Sequence, residues 1–278
     1  MWRPIPTALT AILVALPFSA DAKETAKTIT SFPATMPNVP QGTAVLAADP
    51  RDVASLAEKA PADVSVILSY ATLDEPGEKT SKVRDLGTIE EVPNALVIPM
   101  DPDAQASPGD IVLTWRKPGG KIERAIVVGG TAAEPTVRYL DGYVSRDGSV
   151  DDQEVKLGAG SFRRITSGWC IGARVTIPGR HGRRFGTVIG VTQKDVLVQY
   201  FMSNLGRFAK EDVQLVSLAA ELTKGQAVSF NRSTWQSSGV VRKVDPRIGR
   251  VWVEYESGGE TDVYAVSVGN VLAKQNAR

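Results

Sequence analysis

From Gly109 onward the apolar positions fall into short runs of five to seven residues, rich in valine, isoleucine and aromatics and bounded by glycine, proline or aspartate. "DIVLTW" (110–115), "RAIVVGG" (124–130) and "TVRYLDG" (136–142) come first. "ARVTIP" (173–178), "GTVIGV" (186–191) and "DVLVQYF" (195–201) follow, and "QAVSFN" (226–231), "GVVRKV" (239–244) and "RVWVEYE" (250–256) close the series. Several alternate apolar and polar with period two, the pattern of a strand with one buried face. "SGVVRKVDPRIGRVWVEYESGG" (238–259) spells a hairpin: a β-rich run, the turn "DPRIG", and a second run alternating Val251, Val253 and Tyr255 with Trp252 and Glu254.

Before Gly109 the pattern differs. "DPRDVASLAEKAP" (49–61) predicts a helix: Asp49 caps, Pro50 suits the first turn, Val53, Leu56 and Ala57 share a face, and Pro61 stops it. "DVSVILSYATL" (63–73) and "ALVIPM" (95–100) predict strands, with the polar stretch 74–94 between them read as loop. Residues 23–48 read as a flexible or extended lead-in, and "DPDAQASPG" (101–109) as a boundary.

The β runs repeat. Gly109, Gly172 and Gly225 each open a unit, and a valine follows three residues later (Val112, Val175, Val228). A third strand in each unit carries Val-x-Tyr: Val137/Tyr139, Val198/Tyr200 and Val253/Tyr255. The units end in "SFRRI", "FAKEDVQLV" and "DVYAVSVGNVL", and successive openings lie about 60 and then about 55 residues apart. Three anchors in register at one period are the mark of a repeated module.

Four or five short, twisted strands in a unit of this size bury one side chain in two and lose their exposed edges by closing into a small barrel. Gly-x-x-Val, a variable loop, a Gly-Val-Val-like strand and Val-x-Tyr before a glycine turn resemble the Tudor and KOW modules of the SH3-like barrel class. "GARVTIPGRHGRRFGTVIGV" (172–191) is the KOW-like copy, and "GDIVLTWRKPGGKIERAIVVGG" with "VRYLDG" the Tudor-like one. The expected fold is therefore mainly β: two to three tandem SH3-like barrels after a short mixed α/β segment. The units are 109–168, 169–222 and 223–278, with 49–108 either separate or part of the first.

Composition adds location and charge. Arg3, the apolar "ALTAILVALPFSA" and the small residues "ADA" (20–22) have the plan of a cleavable secretory signal. Its apolar core is shorter than the ~20 residues a membrane-spanning helix needs. Residues 1–22 are thus expected to be removed and the protein to be periplasmic or secreted. The single cysteine, Cys170, cannot form an intrachain disulfide. Charge is uneven: residues 23–108 carry a net −6 and residues 109–278 a net +7.

Catalytic material is thin. His181 is the only histidine, set among Arg180, Arg183 and Arg184, whose charges would oppose the imidazolium that a Ser-His-Asp mechanism forms. One cysteine and one histidine do not make a zinc or copper site, and the acidic "DGSVDDQE" (147–154) lacks the spacing of a calcium loop. The sequence therefore points to a non-enzymatic protein with no catalytic residue, metal or cofactor. The Tudor resemblance implies an aromatic cage for a cationic group, which maps onto Trp115 and Tyr139 in the first unit and Trp235 and Tyr255 in the third, with Trp252, Phe230 and Tyr264 near by. The second unit departs from the pattern, with Pro178 and His181 where the loop aromatic would be. The same tyrosines can instead pack into the barrel. The KOW resemblance and the basic turn "GRHGRRFG" make Arg180, Arg183, Arg184 and Arg207 candidates for holding an anion. The expected function is an exported adaptor contacting a protein or an anionic envelope polymer. A structural spacer is the alternative; a nucleic-acid role is a more distant one, since export argues against it.

Overall fold

The computed structural model describes residues 28–34, 36, 38–58, 64–116, 120–141, 153–179, 182–218, 221–232 and 235–274. The signal-like stretch, Arg180, His181, most of the acidic 147–154 loop and the side chain of Trp235 lie outside the described residues.

The described chain forms four five-stranded antiparallel sheets, each with the same strand order. The first contains β1 (Ala44–Ala48), β2 (Leu68–Glu75), β3 (Thr80–Asp85), β4 (Thr88–Pro93) and β5 (Val97–Pro99), and the second β6 (Ile111–Trp115), β7 (Ile122–Gly130), β8 (Pro135–Tyr139), β9 (Glu154–Lys156) and β10 (Arg163–Arg164). The third contains β11 (Arg174–Gly179), β12 (Gly182–Val191), β13 (Asp195–Tyr200), β14 (Asn204–Ala209) and β15 (Gln214–Leu215), and the fourth β16 (Ala227–Arg232), β17 (Trp235–Asp245), β18 (Arg250–Ser257), β19 (Glu260–Ser267) and β20 (Val271–Ala273). In every sheet four strands form a meander and the fifth returns to pair with the first.

Three sheets fall in 109–278, where repeated units were expected. The first sheet was not expected, because it uses residues read as lead-in and loop. Its opening follows the same rule as the others, since Gly42 and Val45 repeat the Gly-x-x-Val of the later units. Gly42, Gly109, Gly172 and Gly225 have φ of 86°, 94°, 90° and 87°, which a side chain would resist. Each donates its N–H to a second-strand carbonyl (Leu73, Val127, Val188, Val241) at 2.8 Å. The same four residues donate back, at 2.9 Å, to the carbonyls of Thr43, Asp110, Ala173 and Gln226. Immediately beyond this double bond every second strand carries a bulge: at Leu73/Glu75, Val127/Gly129, Val188/Gly190 and Val241/Lys243. A bulge adds twist and bends the strand, so one long strand can serve both halves of a curled sheet.

The interior follows the same register. Val45, Val112, Val175 and Val228 are fully buried, and so are Val137, Val198 and Val253, with Val83 nearly so at the matching place in the first sheet. Two residues before the doubly bonded position the second strand holds Ala71, Ala125, Gly186 or Gly239. A β-carbon added at Gly186 or Gly239 would run into Val198 or Val253 of the neighbouring strand. One apolar cluster runs from Ile29 through the first sheet into parts of all the others, while the second and third sheets also have cores of their own.

Two expectations are corrected here. The polar stretch 74–94 holds β3 and β4, joined through Asp85 and Thr88 by a two-residue turn in which Leu86 and Gly87 have φ of 45° and 91°. Only Ser81 and Val83 of β3 and Val92 of β4 face inward, so the hairpin has too few apolar positions to look like strands. The lead-in is anchored, because Ile29, Phe32 and Met36 are buried and Ala44–Ala48 is a central strand. Gly190 gives the room: a β-carbon there would meet the Phe32 ring at 2.8 Å. Residues 49–108 were left open as separate or as part of the 109–168 unit; the five strands of the sheet in that unit all come from 111–164. The predicted helix is α1 (Pro50–Glu58), started by Asp49 accepting the Arg51 N–H at 2.8 Å and seated through buried Leu56.

Leu86 is fully exposed as well as left-handed. A branched residue pays about 1 kcal/mol for that conformation, and the added freedom of the unfolded chain offsets part of it, so Leu86→Gly is expected to raise stability by up to about 0.5 kcal/mol. Urea unfolding would show it, and a loss of stability would mean that Leu86 makes a contact within the fold.

Candidate functional site

Three arginines lie in strands of the last three units: Arg124 in β7, Arg174 at the start of β11 and Arg250 at the start of β18. All three are buried. A buried guanidinium must find acceptors for its N–H groups, and these three find them across sheet boundaries. Arg124 grips Asp141 through Nε (2.8 Å) and Nη2, and its Nη1 donates to the Val268 carbonyl of the fourth sheet at 3.3 Å. From the fourth sheet Arg250 donates to the carbonyls of Leu140 (2.7 Å) and Tyr139 (2.9 Å) in the second. Arg174 donates to Thr187 Oγ1 at 2.7 Å within the third sheet, and to Asn270 Oδ1 of the fourth. Asn270 in turn donates to Ser267 Oγ at 2.8 Å and to Asp141 at 3.3 Å.

The turn between β19 and β20 completes the joint. A β-carbon at Gly269 would lie 2.6 Å from Arg124 Nη1 and 2.9 Å from Arg174 Cγ, so any side chain there collides with both arginines. Gly249, in the "DPRIG" turn, likewise lets that turn approach Leu140. Second, third and fourth sheets are thus cross-linked through three buried arginines.

A cavity of about 550 Å³ opens at this junction. Its walls carry five arginines, Arg124, Arg174, Arg183, Arg184 and Arg250, against the carboxyls of Glu123 and Asp141 among the described residues. Amides, hydroxyls and aromatic rings, among them Asn231, Gln236, Tyr200 and Tyr264, supply further polar edges and apolar surface. The volume is in the range of small-molecule sites.

The two carboxyls behave oppositely. Burial works to raise Asp141, but the charge and hydrogen bonds of Arg124, with Arg174 and Arg250 behind, outweigh it and hold the carboxyl well below the usual range. Burial also raises Glu123, and the charge of Asp141 adds to it. Arg116, at 3.5 Å, and Arg124 only partly oppose these effects, so the group sits at about 7. Glu123 Oε1 is buried without a hydrogen-bond partner. Arg174 is pulled down to about 9 by burial and by the neighbouring charge of Arg124, against Asp141.

The residues singled out from the sequence are dispersed. Trp115 and Tyr139 are buried in the second sheet; Trp115 stacks on Tyr70 with centroids 4.6 Å apart, and Tyr139 donates its hydroxyl to the Trp115 carbonyl at 3.0 Å. Tyr255 is buried, with its hydroxyl on Asp262 at 2.9 Å and its ring edge-to-face with Phe230. The cations expected on these rings come from the chain itself: Arg116 over Tyr139, Arg232 over Tyr255 and Lys243 over Trp252, at 4.9, 4.6 and 4.6 Å. Arg183 and Arg184 line the cavity. Arg207 does not: it pairs with Asp195 across β13 and β14 and lies over the Phe32 ring. The sequence reading missed Arg124, Arg174, Arg250 and Asp141. An arginine at the edge of an apolar run was the available signal, as in "ERAIVV" and "GARVTIP".

Among the described residues no group of three or more His, Cys, Asp or Glu side chains could hold a metal ion, and no helix is long and apolar enough to cross a membrane. No protein-family model matches the chain, and no curated protein matches its sequence.

Proposed function

We propose that the chain is an exported, non-enzymatic binding protein. Its units are SH3-like barrels of the Tudor/KOW type, and its partner is an anionic envelope polymer or an acidic protein. The observation that carries this reading is the cationic cavity at the junction of the second, third and fourth sheets, with five arginine side chains in its walls. A rigid spacer has no use for uncompensated buried charge, which lowers stability unless a counter-charge arrives. The net +7 of residues 109–278 agrees, because a basic half draws acidic partners over a distance. The same strand plan in all four sheets, with its Gly-x-x-Val opening and bulged second strand, supports the barrel assignment.

The test is retention of the full chain, without residues 1–22, on immobilised polyglutamate, polygalacturonate and uncharged dextran. Retention on the two acidic polymers alone, weakening steeply as salt rises, is the expected result. Equal passage through all three columns would leave the spacer reading in its place.

A further inference from the structure

The binding reading leaves open which part of a partner enters the cavity. We propose that the cavity takes a single oxyanion group, a carboxylate or a phosphate, and that Arg174 and Arg183 of the third sheet are the residues that hold it. This rests on the binding-protein reading and narrows it to one site.

Among the described residues, every acceptor of these two guanidinium groups is neutral. Arg174 donates to Thr187 Oγ1, Asn270 Oδ1 and, at 3.5 Å, the Gly269 carbonyl. Arg183 donates to Thr176 Oγ1 and the Thr176 carbonyl, both at 2.7 Å, and to the Asp212 carbonyl at 2.9 Å. Arg124 takes the one strongly acidic carboxylate of the wall, Asp141, with a fork of two bonds. Neutral acceptors orient a guanidinium but leave its charge in place, and Arg174 is buried.

Both groups belong to a cavity wall, so a ligand can reach their neighbourhood without opening the fold. Arg174 sits in β11 opposite Thr187, and Arg183 in the paired β12 opposite Pro178, so both are fixed by one hydrogen-bonded ladder. The guanidinium fork matches the planar edge of a carboxylate or one face of a phosphate. The fall of Arg174 toward about 9 is what such an anion would reverse. Met202 and Ser203, with φ of 54° and 61°, bring a strained turn to the same wall, where positive φ in residues other than glycine is held in place by its surroundings.

The experiment is an NMR titration of the guanidinium Nε–Hε signals of the full chain without residues 1–22. The probes are inorganic phosphate, acetate and tetraglutamate, each run against chloride at matched ionic strength. Saturable shifts of the Arg174 and Arg183 signals with phosphate or acetate support the proposal and identify the ligand as a free anion. The same shifts with tetraglutamate alone support it and identify the ligand as a chain-borne carboxylate. Arg183→Gln, at the less buried of the two positions, is expected to weaken either by roughly ten-fold or more, while the amide spectrum stays that of a folded protein. Unmoved Arg174 and Arg183 signals up to the highest probe concentration would overturn the site. If the protein were still retained on immobilised polyglutamate in that case, the binding function would stand with its contact elsewhere. If retention were lost as well, both readings would fall together.

Discussion

Arg124→Met is expected to destabilise the protein by about 1–3 kcal/mol, the cost of taking a charged donor from the acceptors it bonds. Asp141, whose side chain is partly solvated, would lose its guanidinium partner, and the Val268 carbonyl would lose its donor across the sheet boundary. Arg174 and Arg250 stay near Asp141 and hold the loss toward the lower end of that range. Asp141→Asn added to Arg124→Met is expected to recover part of the loss, since the neutral amide leaves no unpaired carboxylate at the joint. Urea unfolding of wild type, single and double variants measures this directly. A single-variant loss below about 1 kcal/mol, the level of an exposed pair, would mean that Arg124 does not bind the sheets together.

Glu123→Gln is expected to act in the opposite direction and only in one pH range. With its carboxyl raised to about 7 in the folded chain, Glu123 keeps its proton there at pH values where the unfolded chain has released it. The folded state therefore binds more protons between about 4.5 and 7, and stability falls as pH rises through that window, by up to roughly 3 kcal/mol in all. Above it the loss is complete. Glu123→Gln removes the titration: the variant should be flat across the window and more stable than wild type at pH 8, while the two should agree near pH 4. Asp141, held low, acts with the reverse sign and below the window, losing its contribution only as pH falls toward strong acid. Denaturation midpoints at several pH values separate the two. A wild-type curve flat from pH 4.5 to 7 would show that Glu123 is solvated.

The repeat was legible where the sequence kept all its marks. Gly109, Gly172 and Gly225 stood out because each is followed by valine at the third place and by Val-x-Tyr later. The structure explains both marks: the glycine has a left-handed φ and the valines fill the interior. The unit opened by Gly42 escaped notice for three physical reasons. A helix, Pro50–Glu58, separates its first strand from its second and destroys the spacing. Asp85 stands where the other units have tyrosine. Its outer hairpin is solvated on nearly every position, so apolar alternation is missing.

The cavity was illegible for a different reason. Arg124, Arg174 and Arg250 are about 50 and 76 residues apart in sequence, and each meets its partners only when three sheets dock. No local pattern encodes that meeting. Arg183 and Arg184 were found because "GRHGRRFG" concentrates charge in one turn, which is a local signal. The aromatic residues were found for their type, yet type does not say whether a ring faces a ligand or a cation of its own chain. Lys243 over Trp252 and Arg232 over Tyr255 place intramolecular cations where a ligand's was expected.

The central claim is that the second, third and fourth sheets form one rigid body about the arginine-lined cavity. The most direct test is a pulsed electron–electron distance measurement between spin labels at Ala132 and Thr261, exposed positions in the second and fourth units, with Cys170 replaced by serine. A single narrow distance distribution that broadens when Arg124→Met is introduced is the predicted result. A broad or multiple distribution in the protein with Arg124 intact would contradict the claim, because a cavity shared by sheets that move independently cannot hold a fixed site.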